Sequence, residues 1–143
     1  MAHEFKATRL VEFADTDVAG IMHFSNFFRF MESVEHEFYR SLGFSAHTTK
    51  SSTTVGLPRV RAMCEYLLPL YFQDEVEIHL LVREVRTSSI AYTFDFRRLG
   101  KDKVEEVARG ELTVVYVERQ STAKSYESVP LPMEIVERIQ PAP

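Results

Sequence analysis

Apolar positions recur every second residue at the start of the chain, every third or fourth in the next stretch, and every second again through most of the remaining chain. From residue 5 to residue 13, Phe5, Ala7, Arg9, Val11 and Phe13 share one face and Thr8, Leu10 and Glu12 the other. That alternation predicts a strand with one guanidinium intruding on its apolar side. The run Ala14-Asp15-Thr16-Asp17-Val18-Ala19-Gly20 breaks it. It reads as a structured turn, since short acids bond nearby backbone and glycine reaches positive φ without steric cost. Phe24, Phe27, Phe28, Met31, Val34, Glu35, Phe38 and Leu42 then come at three- and four-residue spacing, with Glu32, Glu37 and Arg40 at other positions. This predicts an amphipathic helix from about Ser25 to Leu42, roughly 27 Å long, capped by Ser25 or Asn26 and stopped at Gly43.

After a loop rich in Ser and Thr, the two-residue period returns four times. Val60, Ala62, Cys64, Tyr66 and Leu68 alternate up to Pro69; Val76, Ile78, Leu80 and Val82 oppose Glu77, His79, Leu81 and Arg83. Ile90, Tyr92, Phe94 and Phe96 oppose Ala91, Thr93, Asp95 and Arg97, and Leu99-Gly100-Lys101-Asp102 reads as a hairpin turn. Residues 103 to 118 form a last long strand, and Met133, Val136 and Ile139 predict a short closing helix after Pro132. No helix separates the later strands, so antiparallel pairing is expected. The class is α+β: a long central helix packed on a curved antiparallel β-sheet, in a single domain over residues 1–143. Exposed sheet edges predict self-association.

Composition narrows the partners. With 45% hydrophobic and 27% charged residues, the chain is ordinary for a soluble globular protein. A formal charge of -4 with scattered Lys and Arg weighs against nucleic-acid binding. No run approaches the roughly 20 apolar residues of a membrane span. Cys64 is the single cysteine, so no internal disulfide forms. Together with a start that lacks a secretory signal, this gives a cytoplasmic expectation.

Asp15 and Asp17 are one residue apart, just ahead of the helix. On their own they leave two readings open: one acid organises the turn and the other is solvated, or a carboxylate and the free N–H groups of a helix start act together. No Gly-x-Ser-x-Gly elbow, P-loop or Gly-x-Gly-x-x-Gly run is present, which removes support for serine-triad, phosphoryl-transfer and nicotinamide chemistry.

The run Glu12-Phe13-Ala14-Asp15-Thr16-Asp17-Val18-Ala19-Gly20-Ile21-Met22-His23-Phe24-Ser25-Asn26-Phe27 resembles the signature of the 4-hydroxybenzoyl-CoA thioesterase family, which includes the Tol-Pal-associated acyl-CoA thioesterases and has the hotdog fold. The likeness continues through Phe28-Arg29-Phe30-Met31-Glu32 to Arg40-Ser41-Leu42-Gly43, and resumes at Glu65-Tyr66-Leu67-Leu68-Pro69-Leu70. It implies hydrolysis of acyl-CoA thioesters to free acid and coenzyme A. Asp17 would be the nucleophile or general base, and the Phe24 backbone amide the oxyanion donor. Gly20 and His23 would meet the substrate, while Asp15 and Asn26 support the turn. The same resemblance implies no metal and no cofactor, a homodimer or homotetramer with the ligand between subunits, and an acyl-CoA substrate, with acyl carrier protein as the alternative carrier. Two other readings stay open: a non-catalytic acyl-thioester-binding or assembly subunit, and a dehydratase of related fold.

Other candidates have plainer readings. Arg59, Arg61, Arg83, Arg86, Lys101, Lys103 and Lys124 are basic groups that a phosphate-bearing ligand could meet, or simply solvated charges; Ser88 and Ser89 line a groove or close a strand end. Glu32, Glu35, His36 and Glu37 lack metal-site spacing, and Glu35 reads as a buried structural carboxylate or a dimer contact. His3, His47 and His79 belong to no ligand constellation, and Cys64 reads as core.

Overall fold

The computed structural model describes residues 1–45, 48–50 and 52–143, so His47 lies outside the described residues. Strand β1 (Glu4–Leu10) turns Phe5, Ala7 and Arg9 inward and Lys6, Thr8 and Leu10 outward, as its sequence alternates. Val11 continues the run and is fully buried. Phe13, expected on the same face, is not. It begins a short 3-10 turn (Phe13–Asp15), and its exposed ring meets Phe72 edge-on with centroids 6.0 Å apart.

Helix α1 (Asn26–Ser41) has 16 residues, about 24 Å of axis. It buries Phe27, Met31, Val34, Glu35 and Phe38 of the stripe that the three- and four-residue spacing predicts, adds Phe30 and Tyr39 to it, and leaves Phe24 exposed and Phe28 and Leu42 partly buried. Gly43, at φ +89, ends it in the left-handed conformation that glycine adopts most cheaply. Short strands β2 (Thr48–Lys50) and β3 (Thr53–Gly56) come next. The later chain supplies β4 (Arg59–Tyr66), β5 (Glu75–Val85), β6 (Ser89–Leu99), β7 (Val104–Val115), β8 (Val117–Gln120) and β9 (Glu127–Ser128), then the one-turn helix α2 (Met133–Val136).

Five strands form one antiparallel sheet in the order β1-β5-β6-β7-β4. Val76, Ile78, Leu80 and Val82 of β5 and Ile90, Tyr92, Phe94 and Phe96 of β6 all face α1 and are buried. Each such side chain contributes about 1.5–3 kcal/mol by leaving water, so these two strands and the helix stripe make the core. At Gly110 of β7 a Cβ would fall on the Met31 side chain, so the missing side chain lets the helix sit close to the sheet.

Three expectations need correction. A bulge between Arg59 and Arg61 resets the alternation of β4: Val60 is 63% exposed and Arg59 turns under the helix instead. Cys64 is half-buried on this edge strand, packed against the core and not sealed within it. The last long strand stops at Val115; after Tyr116 the chain enters β8, which joins a second antiparallel sheet of order β2-β3-β8-β9 that the two-residue period gave no reason to expect. Among the described residues, no helix is long and apolar enough to cross a membrane.

Candidate active site

The turn before α1 is built by its two acids in different ways. Asp15 is buried. Its carboxylate accepts from the Glu12 N–H at 2.9 Å and faces Arg29 at 3.3 Å, while its carbonyl accepts from the Asn26 side-chain amide at 2.8 Å and the His23 N–H at 2.9 Å. Arg29 also donates to the Asn26 side-chain oxygen at 2.8 Å. Asp15, Asn26 and Arg29 thus lock the turn to the first turn of α1, with every buried polar group partnered.

Asp17 faces the other way. Its backbone closes the tip, with its N–H on the Ile21 carbonyl at 2.8 Å and its carbonyl accepting from Gly20 at 3.0 Å. Gly20 sits at φ +85, where a side chain would be strained. Carboxylate oxygen Oδ1 accepts from the Ala19 N–H at 2.9 Å; Oδ2 has no partner among the described residues. The acid is held by one oxygen and presented by the other.

The strand end after the tip is fastened to the segment beyond β4, through Met22 N–H on the Leu70 carbonyl at 2.7 Å and a bridge between Ile21 and Tyr71. Between them opens a cavity of about 480 Å³ lined by Asp17, Phe24, Phe27, Tyr66, Leu67 and Leu68, among others. Phe24 stands at the helix entrance, and its N–H has no partner among the described residues. The Tyr66 hydroxyl donates to the Phe24 carbonyl at 2.9 Å, and the Tyr66 ring meets Phe27 edge-on at 5.0 Å. Burial pushes the Tyr66 hydroxyl up to about 12, so it remains a neutral donor.

Of the residues singled out in the sequence, Asp17 and Phe24 line this cavity, Asp15 and Asn26 lie behind it, and Gly20 and His23 are outside its wall. His23 stacks on Phe24 with centroids 4.5 Å apart, and its Nδ1 meets the Ser25 hydroxyl at 2.7 Å and the Ser25 N–H at 3.2 Å. It braces the Phe24 ring from outside. The wall from Tyr66 to Leu68 carried no assigned role in the sequence; its signals were the alternation ending at Pro69 and the family likeness that resumes from Glu65 to Leu70.

A second polar cluster lies further along α1. Glu35 is fully buried, gripped by both terminal nitrogens of Arg59 and accepting from the Tyr39 hydroxyl at 3.0 Å. Tyr39 in turn lies 2.7 Å from the Tyr92 hydroxyl. Burial raises the Glu35 carboxyl above its usual range, against the opposing pull of Arg59 and Tyr39. Arg59 is therefore committed to structure. Arg61 and Arg83 are held by Glu111, and Arg86 by Glu84 at 2.9 Å. Burial pushes the Cys64 thiol up to about 11, which leaves no thiolate to act as nucleophile.

One long helix against a five-stranded antiparallel sheet, entered through an acid-bearing turn beside an open backbone donor, is a hotdog architecture. The family model of the thioesterase-like superfamily matches residues 11–139, and the chain belongs to that superfamily. It is 32% identical over 129 residues to a protein of Aquifex aeolicus (strain VF5) provisionally named an esterase, covering 90% of this chain and 92% of that one. It is 30% identical over 96 residues to the 1,4-dihydroxy-2-naphthoyl-CoA hydrolase of Thermosynechococcus vestitus (strain NIES-2133 / IAM M-273 / BP-1), covering 67% of this chain and 66% of the other. The solved 4-hydroxybenzoyl CoA thioesterase of Pseudomonas sp. strain CBS-3 superposes with a TM-score of 0.80 over 95% of this chain and 99% of that chain, at 18% identity, and so shares the fold.

Proposed function

We propose that this protein hydrolyses acyl-CoA thioesters, with Asp17 as the reacting carboxylate and the Phe24 N–H as the donor to the carbonyl oxygen. One observation carries the reading: Asp17, with one carboxylate oxygen unpartnered among the described residues, and Phe24, with its N–H unpartnered among them, line the same cavity beside an apolar wall. A thioester needs those two things. Its carbonyl oxygen gains negative charge as the carbon is attacked, and an N–H at a helix entrance, aided by the helix dipole, stabilises that charge where it forms. Its carbon needs a nucleophile. Either Asp17 Oδ2 attacks, the C–S bond breaks, the thiolate leaves and takes a proton, and water opens the mixed anhydride; or Asp17 takes a proton from the attacking water.

Relatives named for hydroxyaroyl-CoA substrates and the aromatic lining of Phe24, Phe27 and Tyr66 together favour a flat acyl group. The chain acts as a homo-oligomer, a reading supported by the unpaired edge of β4 and the exposed apolar surface of Val60, Tyr66, Leu67 and Leu68 beside it. Thiol release from a panel of short, long and aromatic acyl-CoA compounds tests the activity directly. Turnover by wild type, lost in Asp17→Asn, supports the assignment; an Asp17→Asn protein with near-normal kcat overturns it. Label left in the protein after single-turnover hydrolysis in ¹⁸O water establishes attack by Asp17 with water opening the anhydride at the Asp17 carbon; label in the acid alone fits both routes, and trapping of the anhydride with hydroxylamine then separates them.

A further inference from the structure

An arginine ends the apolar stripe of β6. Ile90, Tyr92, Phe94 and Phe96 face α1, and the next position on that face is Arg98, opposite Val76 of β5 and Glu105 of β7. Its side chain is 19% exposed, so its donors need partners within the protein. Nη1 donates to the Pro69 carbonyl at 2.8 Å and to Asp74 Oδ2 at 3.4 Å, and Nη2 donates to Glu105 Oε1 at 3.1 Å. Two of those three acceptors belong to the segment between β4 and β5, which carries the apolar wall of the Asp17 cavity. Arg98 itself does not line that cavity.

The segment is fastened at both ends. At its start, Phe96 pairs with Ala108 and Arg97 with Glu106, so Val107 is the extra residue of a bulge in β7. The Val107 carbonyl takes the N–H groups of Leu67 and Leu68, at 2.8 and 3.1 Å, directly after Tyr66 has met the Phe24 carbonyl. At the far end, Asp74 Oδ2 accepts from the Tyr71 N–H at 2.8 Å, and the Asp74 N–H returns to the Tyr71 carbonyl at 3.0 Å. The turn so closed holds Gln73 at φ +69, a left-handed conformation that a residue with a side chain keeps only under restraint. Between the ends, the Leu70 carbonyl takes the Met22 N–H at 2.7 Å and Tyr71 bridges Ile21, the strand end that leaves the Asp17 turn. The Phe24 peptide therefore hangs from the start of this segment, and the Asp17 turn from its middle.

Arg98 is what ties the stretch between those anchors to the sheet. Pro69 has no N–H, so its carbonyl is the one backbone group by which it can be held, and Arg98 holds it. A guanidinium suits this place because its planar fork reaches a carbonyl and a carboxylate of the segment and Glu105 at once, which the compact ammonium of a lysine cannot do. Glu105, which also meets Lys103 at 3.7 Å, balances the charge without touching the cavity wall. We propose that Arg98 is a positioning residue for thioester hydrolysis: by tying Pro69 and Asp74 to β6, it fixes the segment from which both the Asp17 turn and the Phe24 peptide are suspended. The inference rests on the thioesterase reading and adds to it a group outside the cavity that sets the spacing of the reacting pair.

The test joins two readings. Amide hydrogen exchange at Met22, followed by NMR with no thioester present, reports whether Arg98 holds the turn; kcat and KM for 4-hydroxybenzoyl-CoA report whether that matters to the reaction. In Arg98→Lys the Met22 amide should exchange at least about tenfold faster while the core amides of Ile78 and Leu80 keep their rates. In the same variant kcat should fall about tenfold with KM changed less than about threefold. Glu105→Gln takes a charge from Arg98 but leaves its bonds to Pro69 and Asp74, and should keep the Met22 rate and kcat within about twofold of wild type. The proposal is overturned by an unchanged Met22 rate or an unchanged kcat in Arg98→Lys, by rates raised equally at Ile78 and Leu80, or by equal losses in Glu105→Gln. If Arg98→Lys does not fold, Asp74→Asn replaces it: an acceptor remains for the Tyr71 N–H, the charge facing Arg98 is gone, and the Met22 rate should rise at least about threefold. No rise there overturns the proposal too. If wild type cleaves no thioester, the activity reading fails by itself, and the exchange rates alone decide whether Arg98 holds the turn.

Discussion

The Tyr66 hydroxyl donates to the Phe24 carbonyl across 2.9 Å, joining the end of the edge strand to the entrance of the helix. The bond orients the peptide on the C-terminal side of Phe24, and the Tyr66 ring packs on Phe27 one turn further in. Tyr66→Phe keeps the ring and removes only the tether. Since a loosened donor acts on the transition state more than on substrate binding, kcat should fall about 5- to 30-fold with KM changed less than about threefold. Equal losses in both parameters would mean that Tyr66 holds substrate, not the helix entrance.

Asp17→Asn preserves shape and the Ala19 N–H contact while removing the charge. We expect a fall in kcat of at least about a hundredfold, with the unfolding free energy within about 0.5 kcal/mol of wild type. Thiol release and urea melts measure the two sides. A large loss of stability would reassign Asp17 to the turn, the role that Asp15 fills.

Glu35 gives stability a pH signature. Its folded pKa is raised by burial above the usual 4.5, so its contribution is complete below that value and is lost as pH rises through the folded one. Glu35→Gln does not titrate. Relative to wild type, the variant should gain stability as pH rises from about 4 to about 8. Urea melts at the two pH values decide it; a constant difference would show that Arg59 cancels the effect of burial.

Tyr39 and Tyr92 form a directional chain. Tyr39 donates to Glu35, so in their shared bond Tyr92 must donate to Tyr39. Tyr39→Phe takes a donor from Glu35 and leaves the buried Tyr92 hydroxyl unpaired, and should cost about 2–3 kcal/mol. Tyr92→Phe removes only the terminal member and should cost about 1 kcal/mol. The opposite order, measured by chemical denaturation, would reverse the chain.

Much of this architecture was legible because periodicity records burial. The stripe from Phe27 to Phe38 and the alternation of Val76–Val82 and Ile90–Phe96 each had one apolar face to hide, and each hid it as spaced. The sequence also marked out Asp15, Asp17 and Asn26, because a turn between strand and helix demands short polar residues locally. Alternation failed at Val60, since a bulge is set by pairing with β7, a partner far along the chain. It also failed at Phe13, where a 3-10 turn ends the strand early.

What the sequence by itself determined, then, was where the long helix and the strands of the five-stranded sheet lie, and that a short acidic loop meets the helix start. These come from forces acting over a few residues: side-chain direction, backbone freedom, and the removal of one face from water. Only the tertiary structure decided that Asp17 and not Asp15 borders a cavity, that Tyr66 to Leu68 form its opposite wall, and that Arg59 is spent on Glu35. Each of those depends on contacts between distant segments, which periodicity along the chain does not record.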